Sequence, residues 1–155
     1  MDSISWSLTR ETASLLIGAA VLAPSSHNTQ PWLFRVRSTR IDLLADRTRA
    51  LPVNDPYDRE LTISCSCALF NLRVAAAHAN LAATRYSPLD PTDPDCLASL
   101  ELAPATAPDT VLAPLFEAMA TRRTYRKTFS ARPVAASVLA SLAEMASQEG
   151  AWLHL

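Results

Sequence analysis

The sequence predicts an α+β fold: an antiparallel or mixed sheet flanked by helices, with one long helix at its centre. Three observations predict it. A helical apolar stripe between Asp58 and Ala83 widens well beyond one face, which marks a central rather than a peripheral helix. Two short stretches, Trp32 to Val36 and Ile41 to Ala45, read as strands separated by Arg37 to Arg40, the pattern of a hairpin. A helix-then-strand order near the N-terminus begins again near Pro133. With 155 residues and 49% of them apolar, the chain can build one real core.

Taken in order, the first helix is expected over Thr9 to Leu22. Glu11 suits its first turn, and Leu8, Leu15, Leu16, Ala19, Ala20 and Leu22 form its apolar face. Pro24 stops it. After the hairpin, Pro52 and Pro56 bracket a loop, and Asp58 is expected to cap the long helix, which runs to about Ala83. Its stripe includes Leu61, Cys65, Ala68, Leu72, Ala75 and Ala79, widened by Phe70, Val74 and Leu81. The polar residues Glu60, Ser64, Asn71 and His78 fall on one narrow line at turn spacing. Pro88 to Pro114 reads as loops around one short strand, Ala98 to Leu102. A helix follows from about Thr110 to Ala120, capped by Asp109, with Leu112, Leu115, Phe116 and Met119 on one face. Pro133 opens a last helix, Gly150 suits its C-terminal exit, and Trp152 to Leu155 alternate like a strand. A strand there would leave an edge for this chain's own sheet or another chain to cover.

Composition narrows the function. The formal net charge of −1 argues against a general nucleic-acid binder and against a polybasic membrane contact. No apolar run is read as approaching the roughly 20 residues of a membrane helix. MDSISWSLTRE has no basic segment leading into an apolar one, so a soluble, cytoplasmic protein is expected. Cys65, Cys67 and Cys96 are too few and odd in number for a disulfide framework. Cys65 and Cys67 lie about 200° apart on a helix, so they are read as small core residues, not metal ligands. Gly18 and Gly150 are the only glycines, which excludes a glycine-rich phosphate loop.

The chemistry concentrates in AVLAPSSHNTQPWLFRV. Ser25, Ser26, His27, Asn28, Thr29 and Gln30 are six consecutive hydrogen-bonding side chains, stiffened at both ends by Pro24 and Pro31. A stiff loop loses less entropy on binding. Asn28 and Gln30 each offer a donor and an acceptor, which suits a heterocycle edge. Trp32 and Phe34 add apolar surface. On residues alone, an ordinary polar loop with Trp32 anchoring the strand is the readier reading, and His27 is not assigned a catalytic role. A second cluster, Arg122, Arg123 and Arg126 around Thr124, can hold a phosphate dianion, or can terminate the preceding helix by favouring its negative end. On residues alone, both readings stay open.

These stretches resemble a known family. APSSHNTQPW is similar to the segment A-P-S-x-x-N-x-Q-P-W of the nitroreductase superfamily, matching at Ala23, Pro24, Ser25, Asn28, Gln30, Pro31 and Trp32. ADRTRALPVNDPYDRELTISCSCALFNLRVAAA resembles the Acg-like subgroup, which reads A-D-R-x-R, then D-P-x-x-R-E-L-x-I-S-C-G-A-A-L-x-N-L-R. Ser66 and Cys67 replace its Gly-Ala pair. RRTYRKTF is similar to the superfamily's R-R-S-x-R-x-F, with Thr124 replacing Ser.

The resemblance implies a nitroreductase-like fold and an FMN cofactor. Pro24, Ser25, Ser26, Asn28 and Gln30 would contact the flavin ring or ribityl chain, and Arg122, Arg123, Thr124 and Arg126 its phosphate, with Trp32 as structural support. Because R-R-S-x-R-x-F normally opens a unit, the chain resembles a first unit over residues 1–120 and the opening of a second, truncated one over 121–155, within one compact domain. The implied activity is hydride transfer from NAD(P)H through FMN to a nitroaromatic, quinone or similar acceptor. The alternatives are an Acg-like protein that stores or sequesters flavin without turnover, and a unit that needs a partner chain. A homodimer, or pairing with a second nitroreductase-like unit, is expected.

Overall fold

The computed structural model describes residues 6–86 and 92–154, with the backbone alone at Arg85 and Tyr86. It divides into two compact units, Met1–Thr124 and Tyr125–Leu155.

In the first unit α1 spans Arg10–Ala20. Thr9 caps it, its Oγ1 accepting from the Thr12 N–H at 3.1 Å. Ala13, Leu16, Ala19 and Ala20 are buried, whereas Leu15 and Leu22, expected on the same face, are exposed. β1 (Trp32–Val36) and β2 (Arg40–Ala45) form the predicted hairpin, Trp32 opposite Ala45 and Val36 opposite Ile41.

The long helix α2 spans Arg59–His78. Its predicted cap needs correction. Asp58 has a left-handed backbone and makes no side-chain cap bond. Asp55 does the work instead, its two carboxylate oxygens accepting from the Arg59 N–H at 2.8 Å and the Leu61 N–H at 2.9 Å. Asp58 turns to an ion pair with Arg47, which also reaches Asp95 at 2.8 Å. The far end is corrected too. The helix stops at His78, and Asn80, with φ of 54°, turns the chain out of it. Leu81–Tyr86 then form β3, a strand whose first three residues the sequence reading places in the helix because alanine dominates its start. By length and composition α2 could cross a bilayer, contrary to the sequence reading, but more than half of it is buried inside this fold.

β4 (Cys96–Pro104) extends two residues beyond the predicted strand at each end. The sheet is antiparallel throughout, ordered β1-β2-β4-β3. β2, a central strand, is buried from Ile41 to Ala45. Ile41, Leu43 and Ala45 share the core with Leu100 and Leu102 of β4, with Leu16 and Ala20 of α1, and with Leu72, Val74 and Ala75 of α2. On alternate positions, Asp42 is buried against Ser99 (2.8 Å) and Arg37 (3.0 Å). Arg40 Nε lies 2.9 Å away as an ion pair.

A 3-10 turn at Ala113–Leu115 precedes α3 (Phe116–Thr121), so the helix expected from Thr110 is shorter; Pro114 sits in that turn. Asp109 still caps the segment, accepting from the Val111 and Leu112 N–H groups at 2.9 and 2.8 Å. His78 of α2 stacks on Phe116 at 3.9 Å between ring centroids.

The second unit holds α4 (Ala136–Gln148). Gly150, at φ of 74°, closes it: Gly150 N–H donates to Ser147 O and Ala151 N–H to Ala146 O. Residues 151–154 form no strand, so the predicted terminal strand is absent over them; Leu155 lies outside the described residues. Of the stretch Pro88 to Pro114, residues 88–91 also lie outside.

Candidate functional site

The loop between α1 and β1 is wound tightly. His27, Asn28 and Gln30 all have positive φ, at 51°, 58° and 50°. Such left-handed backbone costs a non-glycine residue about 1–3 kcal/mol and persists only where surroundings impose it. Here they do. Ser25 Oγ accepts from the Gln30 N–H at 2.9 Å, and Thr29 Oγ1 donates to Ser26 O at 3.0 Å. Arg49 donates to Thr29 O at 3.1 Å.

α2 holds both ends of the loop. The Ser26 N–H donates to Ser64 Oγ at 3.1 Å, and the Ser26 hydroxyl donates to a carboxylate oxygen of Glu60. Cys65 Sγ donates to Pro31 O at 3.1 Å. Burial pushes this thiol up to about 11, with Arg47 pulling the other way, so it stays a protonated donor. The polar line read along α2 is therefore a seam: Glu60 and Ser64 grip the loop, Asn71 donates to Ala19 O of α1 at 3.3 Å, and His78 stacks on Phe116.

Beside the seam lies a groove of about 250 Å³ lined by Pro24, Ser25, Ser26, Glu60, Ile63, Ser64 and Cys67. Pro24, Ile63 and Cys67 make it largely apolar. Burial pushes the Cys67 thiol up, and the positive charge of Arg122 acts on it in the opposite sense. Arg122 also donates to Leu22 O at 3.2 Å and to Thr124 Oγ1 at 3.4 Å.

The sequence-predicted residues therefore divide. Pro24, Ser25 and Ser26 line the groove, with the serine hydroxyls committed to holding the loop. The side-chain amides of Asn28 and Gln30 make no hydrogen bond to any described residue and stay available to a ligand. Arg122 and Thr124 come together, next to the start of the loop. Arg123 turns to the carbonyls of Ala120 (2.9 Å) and Arg122 (2.8 Å), the helix-terminating arrangement. Arg126 is exposed and belongs to the second unit. Trp32 is buried in the core. The sequence reading missed Glu60, Ser64, Cys65 and Arg49 as the loop's supports. The available signal was the line of polar residues at turn spacing on an otherwise apolar helix.

No family model matches the chain. Its fold has counterparts among solved structures. A nitroreductase family protein from Streptococcus pneumoniae TIGR4 superposes with a TM-score of 0.57 at 16% identity, covering 83% of this chain and 88% of that one. The crystal structure titled "putative nitroreductase in complex with fmn", from Desulfovibrio desulfuricans, gives 0.55 at 17%, covering 84% and 90%. At these identities the likeness speaks for fold alone, and the fold is that of the nitroreductases. Sequence relatives name the same class. "Putative NAD(P)H nitroreductase Rv3131" of Mycobacterium tuberculosis is 37% identical over 144 residues, which is 93% of this chain and 42% of the relative. "Putative NAD(P)H nitroreductase acg" of the same organism is 34% identical over 98 residues, 63% of this chain and 30% of the relative. The chain resembles the nitroreductase superfamily in sequence and shares its fold. It spans less than half the length of the curated relatives it matches.

Proposed function

We propose that this chain binds FMN in the groove between the Ser25–Gln30 loop and α2, as part of a nitroreductase-like NAD(P)H oxidoreductase. The observation that carries the reading is a largely apolar groove whose loop wall, Pro24 to Ser26, has a different polar group beyond each end in the chain. At one end, Asn28 and Gln30 present free amides on a backbone already held in its strained form. At the other, Arg122 and Thr124 offer a guanidinium and a hydroxyl at the carbonyl of Leu22. Glu60 and Cys67, which both line the groove, are seven residues apart on α2, so the groove runs about 10 Å along the helix axis. The apolar Pro24 and Ile63 walls suit the face of a flat ring, and the residues present fit the group.

Asn28 and Gln30 would bond the ring edge, and Arg122 with Thr124 the phosphate, with Arg123 as a further cation beside them. Ser25 and Ser26 act by keeping the loop rigid and by lining the groove through backbone and Cβ atoms. When bound, FMN would supply the hydride chemistry between NAD(P)H and a nitroaromatic, quinone or similar acceptor. The chain's own residues bind and orient it, exclude water from one face, and tune it through the donors at the ring edge. A second nitroreductase-like unit would complete the site. The protein would act in solution in the cytoplasm.

The test is colour and turnover. The purified protein should be yellow, release FMN on denaturation, and bleach quickly when NAD(P)H is added without oxygen. Bound flavin that does not bleach would favour the Acg-like storage role. Protein that stays colourless after incubation with FMN would overturn the reading.

A further inference from the structure

We infer that Glu60 and Ser64 are positioning residues of this site: by holding Ser26 they keep the His27–Gln30 turn in its left-handed form, so that the Asn28 and Gln30 amides are presented to the flavin ring. The inference rests on the FMN reading above. Ser26 gives both of its donors to α2, the N–H to Ser64 at 3.1 Å and the hydroxyl to Glu60. Ser64 is nearly fully buried and donates its own proton to Glu60 O at 2.7 Å, which leaves its lone pairs for the Ser26 N–H. Residues four apart share a helix face, so one turn of α2 supplies both grips. Three non-glycine residues at positive φ follow directly after Ser26 within four positions. Such a turn relaxes when its anchors go. A relaxed loop must be re-ordered on binding, and affinity is multiplied by the fraction of molecules that remain competent, although no ligand contact has been removed.

Glu60 is exposed and packs in no core, so its replacement leaves the fold intact. The experiment titrates FMN and riboflavin separately into the wild type, Ser64→Ala, Glu60→Ala, Glu60→Gln and Arg122→Ala. Ser64→Ala and Glu60→Ala should weaken both flavins by the same factor, on the order of tenfold, because the loop serves the ring that both share. Arg122→Ala should weaken FMN alone. Glu60→Gln keeps an acceptor for the Ser26 hydroxyl and should restore most of the affinity, at an unchanged melting temperature of the free protein. A wild type that binds FMN while Ser64→Ala and Glu60→Ala bind both flavins as tightly overturns the positioning role alone. Glu60→Gln as weak as Glu60→Ala overturns the hydrogen bond as its cause. A wild type that binds neither flavin overturns the FMN reading and this role with it.

Discussion

Asn28 and Arg122 are the side chains on which the proposed site most depends, and they act differently. Asn28 offers neutral hydrogen bonds, so Asn28→Ala should weaken FMN roughly 2- to 10-fold, with little dependence on salt. Arg122 offers charge at an exposed position, so its contribution should fade as ionic strength rises. Arg122→Ala should therefore cost more affinity than Arg123→Ala, whose guanidinium already serves the carbonyls of Ala120 and Arg122. Binding titrations at low and high salt check both. The thiols give an independent readout. Cys67 lines the groove, and burial raises its thiol above the ordinary cysteine value. Alkylation of Cys67 should be slow at neutral pH, quicken as pH rises, and be suppressed by FMN. Fully buried Cys65 should stay unmodified while the protein is folded. Peptide mapping after alkylation reads all of this, and labelling of Cys67 unchanged by saturating FMN would move the cofactor elsewhere.

At the scale of elements, α2 is both the core and the scaffold of the site. Leu72 is fully buried at its middle, so Leu72→Ala should cost about 2–5 kcal/mol of stability, read as a lower urea midpoint. Its N-terminus depends on Asp55. Burial works against this carboxylate's charge, but the N–H groups of Leu61, Glu60 and Arg59 outweigh it and hold Asp55 below the usual carboxylate range. A depressed folded value stabilises the protein above the unfolded value, about 3.9, and that stabilisation is lost as pH falls through the folded value. Asp42 behaves in the same sense: burial opposes its charge, and Ser99, Arg37 and Arg40 prevail. Asp55→Asn should lower the melting temperature at pH 7 and flatten its fall in acid.

The hairpin, the long helix and the loop were legible from residues alone because alternation, helical stripe and paired prolines are local signals. β3 was not, because Leu81, Ala82 and Ala83 continue a helical composition and only Asn80 marks the break. The cap was misplaced by three residues because both Asp55 and Asp58 are good caps by type. Which one serves depends on the ion pair that draws Asp58 to Arg47. The site was legible as two stretches. Their supports were not, since Ser64 reads only as one of a line of polar residues and Cys65 as a small core residue until the loop is seen folded over them.

In the whole molecule, loop, groove and Arg122 all lie within the unit that ends at Thr124, whereas Arg126 lies in the next. The chain covers 42% of Rv3131, and a second nitroreductase-like unit is proposed to complete the site. Mass measurement in solution should then show a dimer, with FMN shifting the population toward it; a monomer unchanged by FMN would count against pairing between copies. Within the single chain, the loop and Arg122 are proposed to grip one molecule of FMN from its two ends. Calorimetric titration of the purified chain with FMN at low salt tests it most directly. A saturable heat, reduced in both Asn28→Ala and Arg122→Ala, is the predicted result. No heat from the wild type, or the same heat from both variants, would contradict it.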